Sequence, residues 1–187
     1  MDAFGYLSVL ISIILGLGVT QLLTGIGRLI QGRGRVTPYM PSVVWAGLLL
    51  LVHVQTWWTM FGLRGVEAWT FAGFLVVLLQ PAILYLLSAL VLPDLNGPEQ
   101  VDLRENYHDQ ARWFFGLFIL LLVVSLAKDL VLSGELPDAL NVVAHLVFLA
   151  LGVGGIVSRR EAYHRLQAPV ATGLMVVYIA ALFWRLG

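Results

Sequence analysis

Cysteine is absent from the 187 residues, which excludes disulfides, thiolate metal sites and cysteine nucleophiles. Charge is scarce: 12% of the residues are charged and the formal net charge is zero, against roughly a quarter charged in ordinary globular domains. That balance carries no electrostatic footprint for nucleic acid or acidic substrates. Lysine occurs once, at Lys128, and the other ten basic residues are arginine, a bias expected of a GC-rich bacterial genome. Four histidines are too few for a multi-histidine membrane oxygenase. Phosphate-binding loops, dinucleotide fingerprints, zinc-protease helices and serine-nucleophile elbows are all missing.

What fills the chain instead is apolar residue, 59% of the total. Six runs of bilayer-crossing length are expected at about 5–27, 43–61, 69–92, 112–132, 138–157 and 169–186. The sequence therefore predicts an all-α polytopic membrane protein, a six-helix bundle forming one domain over 1–187, with lipid as the solvent for much of its surface. Strands of a barrel would alternate over shorter segments, and these runs do not. The first run follows Met-Asp without a basic flank and is too long for a signal peptide, so it is expected to be a retained helix. Pro38 and Pro41 separate the first two helices, and Pro93, Gly97 and Pro98 end the third. Pro137 and Pro169 are expected at the starts of the fifth and sixth, where a missing N–H does no harm.

Arginine asymmetry gives an orientation. Arg28, Arg33, Arg35, Arg104, Arg112, Arg159, Arg160 and Arg165 fall between helices 1 and 2, 3 and 4, and 5 and 6. Arg64, Lys128 and Arg185 fall on the other side. The positive-inside rule then places both termini on the periplasmic side of a bacterial inner membrane. Trp57, Trp58, Trp69 and Trp184 form an outer aromatic belt in that orientation, with Trp113 at the inner edge.

Polar groups inside crossings are costly and face the protein interior or a wet cavity. They are His53 on helix 2, Gln80 before Pro81 on helix 3, Lys128 and Asp129 on helix 4, and Asn141 and His145 on helix 5. Measured from the outer helix ends, His53 lies roughly 12 Å deep and His145 roughly 10 Å. Asn141 and His145 share a face, as do Ser125 and Asp129. Gln55 stands nearly opposite His53 on the wheel, so the two cannot line one cavity. One reading is a channel or transporter with an outward polar cavity in which Asp129 and the histidines titrate with protons. A second is haem held between His53 and His145. A third is purely structural: Lys128 snorkels and each imidazole bonds a nearby carbonyl.

Two further patterns stand out. Ser8, Ser12, Gly16, Thr20 and Thr24 recur at every fourth position of helix 1, a small-residue stripe that lets a neighbouring helix approach closely. It is expected to pack inside the bundle, with contact between subunits or with a partner subunit as the alternative. The chain is short for a secondary transporter, which favours a homo-oligomer. Arg104-Glu105-Asn106-Tyr107-His108 and Arg160-Glu161-Ala162-Tyr163-His164 repeat Arg-Glu-x-Tyr-His before helices running the same way. The repeat hints at a duplicated hairpin. Ser158 and Glu161 have capping-box spacing, which predicts a short interfacial helix before Pro169. Glu-x-x-His pairs occur in di-metal carboxylate sites, so Glu105, His108, Glu161 and His164 are the candidate ligands of a divalent metal. The crossings supply no further glutamate to complete such a site, and the plainer role is contact with lipid headgroups or neighbouring loops. The acidic run Asp94, Glu99, Asp102, Glu105 and Asp109 reads as a solvated loop.

Overall fold

A computed structural model describes residues 3–66, 68–95 and 100–182. Trp184 and Arg185 of the expected outer belt and charge count, and Gly97, Pro98 and Glu99 of the third connection, lie outside the described residues. The chain is 84% helical. Its helices are α1 (Ala3–Gln31), α2 (Met40–Thr59), α3 (Phe71–Val91), α4 (Leu103–Ser133), α5 (Ala139–Val157) and α6 (Glu161–Leu182), with a 3-10 turn at Met60–Gly65. Among the described residues six helices are long and apolar enough to cross a membrane, and the protein is a multi-pass membrane protein.

The helix limits follow local chemistry more closely than hydropathy. Asp102 caps α4 by accepting from the Arg104 N–H, so this helix starts nine residues before the expected Leu-rich run at 112. The added turns bury Leu103 and Tyr107. Likewise α6 starts at Glu161 and runs straight through Pro169, where a proline start was expected. Leu166, Gln167 and Ala168 are good helix formers, and a membrane helix tolerates the carbonyl that proline leaves unbonded. No separate interfacial helix forms. Ser158 ends α5, and its hydroxyl accepts from Arg160 N in place of the expected capping box. Pro137 precedes its helix by two positions, because Asp138 caps α5 through Asn141 N. Gly134, at φ +73°, closes α4 in the left-handed conformation that glycine adopts without strain.

Packing runs α2–α3–α4–α5–α6 and back to α2, which closes a five-helix ring; α1 lies outside it against α2 and α3. Two connections meet at one end, where β1 (Val36–Thr37) pairs in parallel with β2 (Val101–Asp102). The α5–α6 connection joins them there, since Arg104 pairs with Glu161. All three arginine-bearing connections therefore share one end of the bundle. Exposed Trp113 lies towards that end and exposed Trp57 towards the other.

Small residues set the closest crossings. Gly152 faces Phe118 and Ile119, Gly155 faces the Phe115 ring, and Gly154 faces the Tyr163 hydroxyl, so α5 sits tightly on α4 and α6. On α1 the buried face is Leu7, Ile11, Leu15, Gly18 and Leu22. The Ser8, Ser12, Gly16, Thr20 and Thr24 stripe does not pack inside the bundle: Ser8 is half-buried and the other four are exposed. Geometry explains the correction. Steps of four residues advance roughly 40° beyond a full turn, so five such positions wind around the helix, whereas the buried row mixes steps of three and four. Ser8 and Thr20 satisfy their hydroxyls on the carbonyls of Gly5 and Gly16, which makes them tolerable on an outer face.

Candidate functional site

A cavity of about 380 Å³ lies inside the five-helix ring. Its depth order can be read along each helix. Leu48 of α2, Phe118 of α4 and Phe148 of α5 form the inner limit, followed by Val52, Leu121, Leu122 and Met175. Gln55, Ser125, Asn141 and Tyr178 stand nearer the mouth, with Lys128, Asp129, Ser133 and Val66 at the rim. The floor is therefore apolar, and the polar side chains are confined to the upper wall, where Leu63, Val66 and Leu132 stand among them. The cavity reaches the end of the bundle opposite the arginine-bearing connections.

Below the floor the ring is filled. Trp45 is fully buried and meets the edges or faces of Phe114, Phe115 and Phe118 at centroid distances of 5.2, 5.6 and 5.4 Å. These T-shaped contacts are favourable for aromatic rings, and they fill this part of the ring.

Five of the six polar residues expected at a cavity line this one: Gln80, Lys128, Asp129, Asn141 and His145. The sixth, His53, does not. His53 is 1% exposed and points at α1, where a Cβ on Gly18 would lie 2.2 Å from its Nε2. Its Nδ1 lies 2.7 Å from the Leu49 carbonyl. A carbonyl only accepts, so Nδ1 carries the proton and Nε2 is left a bare acceptor against glycine. Gln55, on the opposite side of α2, takes the place in the cavity. His53 and His145 consequently face different spaces, and the expected haem between them has nowhere to sit.

The polar wall is only partly self-satisfied. His145 Nδ1 donates to the Asn141 carbonyl at 2.9 Å, and no described residue bonds its Nε2. Tyr178 donates to Asn141 Oδ1 at 3.2 Å and its ring stands edge-on to His145. Lys128 Nζ lies 3.7 Å from Asp129 Oδ1, with 19% and 31% of the two side chains exposed. That separation is long for a charge-assisted hydrogen bond, normally about 2.7–2.9 Å. A smaller void of about 20 Å³, edged by Thr56, Thr59, Gln80, Pro81 and Lys128, adjoins the cavity. It is large enough for about one water, and the buried Thr56 hydroxyl has no protein partner.

Tyr178 was not singled out by sequence reasoning, although a phenol inside an apolar run needs a hydrogen-bond partner and that requirement was the available signal. Gln21, a further polar residue of the first expected crossing, is exposed on α1.

The two Arg-Glu-x-Tyr-His segments do come together, at the arginine-rich end. Tyr107 Oη lies 3.0 Å from His164 Nδ1, and His164 Nε2 lies 3.0 Å from the Ser158 carbonyl. The carbonyl fixes the proton on Nε2, so Tyr107 donates to Nδ1. Glu161 pairs with both Arg104 and Arg165. The His108 and His164 rings meet at 5.4 Å, perpendicular to one another. Burial pushes the neighbouring Tyr39 phenol up from its ordinary range, and the Glu161 carboxylate adds to this.

The arrangement is a structural clasp, and it overturns the expectation of Glu105, His108, Glu161 and His164 as metal ligands. Both His164 nitrogens are committed, Glu161 is held by two guanidinium groups, and Glu105 is exposed. Among the described residues no three such side chains converge on one point. No family model, curated protein or solved structure matches this chain, so a functional reading rests on its own residues.

Proposed function

We propose that this protein is a small inner-membrane transporter, with its cavity open to the periplasm and both termini on that side. The observation that carries the reading is the cavity within the five-helix ring, apolar at its floor and with its polar side chains towards the mouth. Its volume of about 380 Å³ falls in the range of small-ligand sites, about 300–1,000 Å³. The clustered arginines at the closed end support the orientation through the positive-inside rule. Because aromatic rings fill the ring below Phe118, a simple open channel is disfavoured. Passage requires the other end to open in turn, and Asp129 and His145 are the groups available to link that change to protons.

Substituted-cysteine accessibility tests this directly, because the natural chain has no cysteine and Ser125→Cys places a single thiol in the cavity. In right-side-out membranes a water-soluble thiol reagent should react with it from the periplasmic face. In inverted membranes it should also react, more slowly, as the cavity turns over. Reaction from the mouth side alone would leave a one-sided binding protein and overturn transport.

The exposed Ser12, Gly16 and Thr20 on α1 favour a second element, assembly with another copy or a partner subunit. A Cβ at Gly16 would meet nothing within 4 Å, so this face is open to a close helix neighbour. Disulfide trapping of Gly16→Cys between protomers is the expected outcome, and a strictly monomeric protein in native membranes would remove this element.

A further inference from the structure

The cavity has a shape and a charge pattern that select a ligand class. We propose that it holds a single-chain zwitterionic amphiphile of the lysophospholipid type, head at the rim and acyl chain on the floor; this rests on the cavity reading above.

Length is the first argument. Along α4 the lining runs from Asp129 at the polar rim to Phe118 at the floor, roughly 16 Å at 1.5 Å per residue. Half the hydrocarbon thickness of a bilayer is about 15 Å. A molecule with its head beside Asp129 and its tail on Phe118 and Phe148 is as long as one leaflet is deep. A compact solute such as a free amino acid, seated beside Asp129, would leave the apolar floor from Phe118 to Leu122 unfilled.

Charge is the second. Lys128 and Asp129 are adjacent, opposite in sign and both line the cavity, and their mutual contact at 3.7 Å leaves each able to take a closer partner. A head of one sign would satisfy one of them and be repelled by the other in a weakly screened site. A head carrying phosphate and ammonium satisfies both: phosphate on Lys128, ammonium on Asp129. The Nε2 of His145, which no described residue bonds, is an acceptor only, and it suits the same ammonium. No covalent step is involved.

The test uses the full chain with Ser125→Cys in nanodiscs of diacyl phosphatidylglycerol and follows the rate of thiol labelling. Lauroyl lysophosphatidylethanolamine, laurate and dodecylamine are the probes, matched in chain and differing in head charge. The zwitterion should slow labelling at least about tenfold, while the acid and the amine slow it far less. Lys128→Met and Asp129→Asn should each remove that protection; their labelling rate without amphiphile reports that the cavity is intact. Equal protection by laurate or dodecylamine would overturn the zwitterionic assignment. Labelling at full rate in the presence of all three would overturn the amphiphile class while leaving the cavity reading in place. A thiol at 125 that never reacts would remove the cavity reading itself, and this assignment with it.

Discussion

His53 stands directly over Gly18, with its bare Nε2 where any side chain on α1 would begin. Gly18→Ala would set a methyl 2.2 Å from that nitrogen and force the α1–α2 crossing apart, an overpacking cost on the order of 1–3 kcal/mol. Thermal unfolding in micelles should show the loss, and adding His53→Ala should recover much of it. Losses that simply add would mean the contact does not set the crossing. At the other end, Tyr107→Phe keeps the ring contacts with Tyr39 and Phe115 but leaves buried His164 Nδ1 without a donor. The expected cost is about 1–3 kcal/mol, read in the same assay; an unchanged melting temperature would show that the bond is not significant.

Among the elements, the arginine-rich end is tied across the ring by Arg104–Glu161, Tyr107–His164 and the β1–β2 ladder, while the mouth end shows a cavity. If the clasp holds that end shut, Glu161→Gln should speed labelling of Ser125→Cys from the arginine side. An unchanged rate would make the clasp purely structural. The helices themselves were legible from hydropathy, because a crossing leaves a long unbroken apolar run. Their amphipathic extensions were not: residues 103–111 and 161–168 are helical because of a cap, helix-forming residues and the clasp, none of which raises hydropathy. The polar residues of the cavity were legible because burial in lipid makes them conspicuous. Which of them share a space was not, since depth alone does not say which way a side chain turns on its helix. His53 lies at a matching depth and faces α1. Helix 1 misled for a related reason, its small residues being spaced for a row that does not stay on one face.

For the whole molecule, orientation is the property most directly open to measurement. Reporter fusions at residue 187 should behave as periplasmic and fusions within 97–103 as cytoplasmic. Cytoplasmic activity at residue 187 would invert the proposed topology and turn the cavity mouth to the cell interior.

The ring closes between α2 and α6, elements about a hundred residues apart in the polypeptide. During synthesis, five helices can enter the bilayer while the flank of α2 that α6 will cover still faces lipid. Met175 and Tyr178, which complete the cavity wall, arrive after every other lining residue. The cavity therefore has no partial form: a nascent chain still without α6 holds a groove open to the bilayer, with Lys128 and Asp129 beside it. Such an intermediate exposes two costly polar side chains to lipid and is a natural target for membrane quality control. Closure of the ring and creation of the cavity coincide.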